Sequence, residues 1–322
     1  MSKVAAVQSG RSGPKVQTAT PLLPEAAAFA VILMWGTTFT LTKSLYAEMT
    51  PLSLGGLRFI VIPTLAFLVL IIGSRREGKP ENLRIRRADL PLLALTGLLG
   101  YTFYQLGFLL GLQHTSAFAG ALMISLQPLV TLVIVRFLGE RQTPAIWLGA
   151  IVALVGVAIF LFSGDEESKM LGNLIAFGGG VSFALYQVFN RRLIREYPSA
   201  TYSAWSTLFG SIPLVLIGIP AMAEQDWGGV SGISWLSFLY MCIFPVYIAY
   251  ILWGWAIRHR GVTISGFTLL VPIVAGVFSW LFLGEEFGPQ KIIGGGLALA
   301  GLVWMQWANH RRQQTVIAPD IQ

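Results

Sequence analysis

The chain has 322 residues, 55% of them hydrophobic and 11% charged, with a formal net charge of +7. An average soluble domain carries roughly 25% charged residues; a soluble fold of this size could not hide so much apolar surface, so lipid is the solvent for most of the chain. The basic excess does not imply a nucleic-acid partner, since the loops that orient membrane proteins are themselves rich in Lys and Arg. Three histidines and the single Cys242 offer neither a Cys/His metal cluster nor an intramolecular disulfide.

Residues 1–24, rich in Ser, Thr, Gln, Pro and Lys and lacking an apolar stretch, read as a solvated cytoplasmic tail rather than a signal peptide. Ten apolar segments follow, at 25–46, 54–73, 90–111, 115–137, 144–163, 171–191, 200–220, 234–257, 262–283 and 290–308. Each is near the ~20 residues that span ~30 Å of hydrocarbon. None alternates with period two, so helices are expected rather than strands. Pro51, Pro91, Pro144 and Pro289 stand at segment starts, where a missing N–H breaks no helical bond. Residues 309–322 read as a second cytoplasmic tail.

Placing the N-terminus inside puts 18 of the 22 basic residues on the cytoplasmic side, including Lys3, Arg11 and Lys15 in the first tail. Only Lys43, Arg58, Lys169 and Lys291 fall outside. The asymmetry predicts a multi-pass protein of the inner (plasma) membrane with both termini in the cytoplasm.

The string FLGE occurs twice, as Phe137 to Glu140 followed by Arg141 and as Phe282 to Glu285 followed by Glu286. A shift of 145 residues also superposes Pro144 on Pro289, Gly149 on Gly294, Gly156 on Gly301 and His114 on His259. Pro128 and Pro272 miss by one residue; upstream the shift drifts to about 150, setting Pro63 on Pro213. The chain thus divides into halves at 25–163 and 171–308. Five helices is an odd number, so the second half enters the membrane from the other side. The fold predicted is an all-α integral membrane protein of ten transmembrane helices in two inverted five-helix repeats, an arrangement characteristic of transporters with a site between the halves. The change from Arg141 to Glu286 fits that inversion, with capping and loop anchoring expected of Glu140 and Glu285.

Three stretches carry a family resemblance: MWGTTFTLTK (Met34 to Lys43), HTSAFAGALMISLQPLVTLVIVRFLGE (His114 to Glu140) and GVTISGFTLLVPIVAGVFSWLFLGE (Gly261 to Glu285). With the ten-span duplication, they make the chain resemble the EamA-type members of the drug/metabolite transporter superfamily, over about residues 25–308. Within it the chain is most similar to bacterial exporters of aromatic and other amino acids. The resemblance implies export of small metabolites through a central cavity lined mainly by spans 1, 3, 4, 6, 8 and 9.

Catalytic signatures (HExxH, GxSxG, a Walker loop, GxGxxG after a strand) are missing, so an enzyme is not expected and no cofactor is implied. Acidic residues such as Asp165-Glu166-Glu167, Glu224 and Asp226 sit in predicted loops or at helix ends. With no carboxylate at mid-membrane to carry a proton, uncoupled transport is favoured over antiport. Lys43 reads either as a snorkelling cation or as a group attracting a substrate carboxylate, and Arg58 more readily as a snorkelling one. Rings and polar groups that could line a cavity are Trp35, Tyr101, Tyr104, Gln105, Tyr186, Gln187, Asn190, Tyr247 and Tyr250. Trp253 and Trp255 are assigned to the interfacial belt. Pro128 and Pro272 are candidate gate hinges, and Pro63, Pro213 and Pro245 should kink their spans. Gly178-Gly179-Gly180 and Gly294-Gly295-Gly296 suit close helix packing. His114 and His259 lie on opposite sides of the membrane and cannot form a metal pair. Expected partners are small amino acids or metabolites and the lipid bilayer, with no nucleic acid and a monomer favoured. The alternatives left open are a drug or nucleotide-sugar carrier with proton or exchange coupling, and an integral-membrane enzyme or scaffold.

Overall fold

The computed structural model describes residues 22–163 and 169–317. The tail basics Lys3, Arg11 and Lys15 and the acidic run Asp165-Glu166-Glu167 lie outside the described residues. Ten long helices follow in order: α1 Leu23–Leu45, α2 Pro51–Glu77, α3 (residues 90–114), α4 Ala117–Phe137 and α5 Pro144–Leu161 in the first half. The second half has α6 Met170–Phe189, α7 Ser199–Glu224, α8 Gly232–Arg260, α9 (residues 261–283) and α10 Pro289–Ile317. Among the described residues all ten of these elements are helical, and α1 to α9 are long and apolar enough to cross a membrane. Large apolar side chains such as Leu68, Ile72, Leu148, Ile151 and Leu154 are exposed on the outside of the bundle, as a lipid solvent requires. The tenth helix runs past the expected end at residue 308 to Ile317. There Arg311 lays its guanidinium 3.9 Å from the ring centre of Trp307, a cation–π contact suited to the membrane surface.

Ten crossings leave Leu23 and Ile317 on the same side of the bundle, the terminal face; α1 and α2 are joined at the opposite face. Contacts between helices follow the repeat. Helix α5 packs along α10 and α2 along α7, each pair joining equivalent helices of the two halves. The α3–α6 pair in one place has its counterpart in α8–α1 in the other, and α4–α6 has α9–α1. Glycines set the distance in the first of these pairs. A Cβ on Gly156 would lie 2.2 Å from the Ala298 nitrogen, and one on Gly294 would lie 2.5 Å from the Phe160 nitrogen. The two backbones are in direct contact, the close approach small residues give membrane helices.

Local irregularities also repeat. Both α3 and α8 contain a π-helical stretch, Leu98–Phe103 in one and Phe244–Ile248 in the other. Helix α4 breaks at Leu126, just before Pro128, and α9 changes from a 3-10 stretch, Gly261–Leu270, to α-helix just before Pro272. The prolines thus sit at the first turn of the second segment, where they cost no helical hydrogen bond. Pro63 and Pro213, by contrast, lie inside continuous helices. Gly139 and Gly284, the glycines of the two FLGE strings, end α4 and α9 with φ of 92° and 65°. A side chain there would be strained, and the Glu140 N–H reaches back to the Val135 carbonyl at 3.0 Å to close the helix end.

Candidate substrate cavity

A cavity of about 1720 Å³ enters the bundle from the terminal face. Glu140, Arg191, Ser199 and His310 line its mouth, while Trp35, Thr38, Arg58, Gln105 and Phe108 line its inner part. Besides the six helices implied by the family resemblance, α2, α5, α7 and α10 contribute wall. The opposite face is shut by ties between helix ends. Glu285, just after α9, accepts from the backbone N–H groups of Ala117 at 2.6 Å and Phe118 at 3.4 Å, capping the start of α4. Tyr46 donates to the Leu109 carbonyl at 2.8 Å. Glu48 accepts from Ser231 through both N–H (2.7 Å) and Oγ (2.9 Å), which holds its carboxyl below the usual range. Leu45, Met49, Leu54, Phe238 and Met241 fill the space beneath.

The repeat-related contact on the terminal face is not made. Glu140 occupies the position equivalent to Glu285, yet it lies 3.7 Å from Arg191 at the cavity mouth. That separation and the half-exposed side chains make it a weak surface pair. One copy of FLGE closes its face and the other flanks an opening.

Of the residues singled out from sequence, Trp35, Tyr101, Tyr104, Gln105, Tyr186, Gln187, Tyr247 and Tyr250 line the cavity, together with Pro128. They form two aromatic walls on the α3–α6 and α1–α8 pairs, which are equivalent in the repeat. Tyr101 meets Tyr186 with ring centres 5.9 Å apart, and Tyr104 meets Phe183 at 4.8 Å. On the other wall Trp35 packs on Trp253 at 5.3 Å and Tyr250 at 6.0 Å. Its Nε1 donates at 3.0 Å to the carbonyl of Pro245 in the π-helical stretch. Gln187 donates to Gln127 at 2.9 Å, linking α6 to α4 across the wall.

Lys43, Asn190 and Pro272 are not on the cavity wall. The Lys43 ammonium donates to the carbonyls of Leu112, at 2.9 Å, and Thr115, where α3 ends. A cation there satisfies carbonyls left without helical partners and complements the helix dipole. Asn190 is buried at the end of α6, its backbone continuing the hydrogen-bond ladder between Tyr186 and Ile194. Pro272 is buried where α9 becomes α-helical. Trp253 and Arg58, assigned elsewhere from sequence, also reach the cavity. Arg58 does not snorkel. It is 6% exposed, one end nitrogen donates to the Met241 carbonyl at 3.2 Å, and its Nε has no partner. Among the described residues no carboxylate pairs with it. The shift of about 150 sets Leu208 at the equivalent place in the second half, so the cation has no twin. That asymmetry is the sequence signal that could have marked it.

The description "EamA-like transporter family" matches residues 22–162 and again 170–307. The chain belongs to the EamA-like transporter family. The double match gives EamA transporters' two repeats of membrane-spanning helices to this chain, and the family and its named relatives are transporters, not enzymes. A protein of Archaeoglobus fulgidus named "Uncharacterized transporter" is 27% identical over 84% of this chain and 94% of its own. A Streptantibioticus cattleyicolor protein named "Probable terminal-alkyne amino-acid exporter" is 29% identical, over 73% and 80%. An Escherichia coli protein named "Probable amino-acid metabolite efflux pump" is 26% identical, over 85% and 92%. A crystal structure at 22% identity superposes with a TM-score of 0.62 over 89% of this chain and 98% of its own, a likeness of fold.

Proposed function

We propose that this EamA transporter exports amino acids, aromatic or otherwise apolar, and related small metabolites across the inner membrane by alternating access without ion coupling. The cavity carries the reading: it opens on one face, is shut at the other by Glu285 and Tyr46, and presents rings with a few fixed polar groups, as an amphipathic small molecule needs. The halves, taken as residues 25–163 and 171–308, exchange conformations. As the terminal face closes, Glu140 meets the start of α9 as Glu285 now meets the start of α4, with the breaks near Pro128 and Pro272 as hinges. The count of Lys and Arg supports a cytoplasmic terminal face, so the open side faces the metabolite pool. Uncoupled transport is supported by the placement of carboxylates: among the described residues Glu140, at the mouth, is the one on the cavity wall. The names of the Streptantibioticus and Escherichia relatives support the substrate class.

The test is counterflow of labelled phenylalanine into proteoliposomes preloaded with unlabelled amino acid, with and without a pH gradient. Equal exchange under both conditions is expected. Accumulation only with a gradient would refute uncoupled transport, and no flux of any amino acid would refute the substrate class.

A further inference from the structure

We propose that Arg58 is the substrate-recognition residue and that it reads the anionic end: the cavity takes small carboxylates with an apolar or aromatic body, and does not read an α-ammonium. The inference rests on the cavity being the transport site, and it deepens that reading.

A guanidinium does not give up its proton in a protein, and an unpaired buried charge is costly. Here α2 places one about seven residues from its start at Pro51, roughly 10 Å in from the opposite face at 1.5 Å per residue. Its hydrogen bond to Met241 uses one of five N–H donors. Nε is shielded by protein yet unpartnered, and the group as a whole lines the cavity. A planar fork of this kind matches a carboxylate, which can accept two parallel bonds. The same wall supplies rings for the body of the ligand, with Phe59 and Tyr101 centres 6.5 Å apart and Tyr104 beside them.

Charge elsewhere in the cavity sharpens the selection. Glu140, Arg191 and His310 are at the mouth, and Glu140 already faces Arg191. The inner cavity therefore holds one formal charge among the described residues, a positive one. An ammonium entering it meets no carboxylate and is repelled by the Arg58 cation. A carboxylate meets its counter-ion. Zwitterionic amino acids are accepted through the carboxylate, and so are analogues lacking the amine, such as 2-oxo acids or arylacetates. Amines without a carboxylate are rejected. Because the repeat places Leu208 opposite, Arg58 is not a shared part of the mechanism of both halves; it belongs to the cargo.

The full-length protein in lipid nanodiscs is titrated with phenylacetate, phenylalanine, phenethylamine and sodium chloride, followed by tryptophan fluorescence and thermal shift. Phenylacetate and phenylalanine should bind with similar affinity. Phenethylamine and chloride should be at least roughly tenfold weaker, and Arg58→Gln should weaken both carboxylates roughly 10- to 100-fold, the range for a lost charge-assisted hydrogen bond. Arg58→Lys should recover part of that loss. Phenethylamine binding as well as phenylacetate, chloride protecting equally well, or unchanged carboxylate affinity in a folded Arg58→Gln would each overturn the proposal. Should Arg58→Gln fail to fold, Arg58→Lys and the acid-against-amine comparison on the unmodified protein decide. Flux of amino acids that survives Arg58→Gln leaves the transport reading standing and removes this one. Arg58-dependent carboxylate binding without amino-acid flux does the reverse, and absence of both carboxylate binding and amino-acid flux in the unmodified protein removes both.

Discussion

Removing the Glu285 carboxylate should open the opposite face. Its two hydrogen bonds to Ala117 and Phe118 exist only while α9 and the start of α4 are together. An N-terminal cap contributes about 0.5–2 kcal/mol, and a negative charge at a helix start adds about 0.3–1 kcal/mol. With Glu285 half-buried, about 1.5 kcal/mol is a reasonable total, worth about tenfold in the ratio of the two states. The state in which this face is shut should lose that much when Glu285→Ala is made, and Glu285→Gln, which keeps an acceptor but no charge, should fall between. Spin labels at His114→Cys and Glu286→Cys, on exposed positions either side of the contact and with Cys242→Ala, report the separation of the two ends by double electron–electron resonance. The long-distance population should rise about tenfold relative to the short one. An unchanged distance distribution in Glu285→Ala would show that the contact is incidental to closure.

Two further outcomes follow from contacts outside the cavity. Gly156→Ala should lower the thermal transition in detergent, because its Cβ would meet the Ala298 nitrogen at 2.2 Å and overpacking costs about 1–3 kcal/mol. Gly296→Ala, with nothing within 4 Å, should leave the transition unchanged or raise it slightly through helix propensity. Glu48 gives a pH dependence. Its carboxyl is held below its ordinary value of 4.5 by the Ser231 N–H, so the contribution to stability is complete above about 4.5 and fades as pH falls through the lower folded value. Thermal unfolding from pH 6 down to 3 should show that loss in the unmodified protein and a smaller one in Glu48→Gln.

The helices, their order and their inversion were legible because each rests on local signals: apolar length, loop charge and the repeat of FLGE with its left-handed glycine. The aromatic walls were largely legible too, since Tyr101, Tyr186 and Trp35 fall in spans that the family resemblance assigns to the cavity. Sequence alone ranks Lys43 above Arg58 as a substrate contact, the reverse of their places relative to the cavity. Both are basic residues near the opposite face on helices that are apolar all round, where periodicity does not reveal which side meets lipid, protein or cavity. Their fates depend on what lies across from them: the open carbonyls of α3 for Lys43, the cavity for Arg58. Trp253 was read as interfacial because it stands near a helix end, yet α1 brings Trp35 against it.

The paired devices described above, the two FLGE ends, the two π-helical stretches and the two proline breaks, favour neither direction, since whatever one contributes to opening inward its twin contributes to opening outward. Preference for one of the two open states must then originate in residues that lack a counterpart. Arg58 against Leu208 and Arg141 against Glu286 are two such places. A few unmatched side chains can thus set which face the unloaded carrier rests open to, leaving the duplicated scaffold untouched, while net flux through an uncoupled carrier still follows the gradient of its cargo.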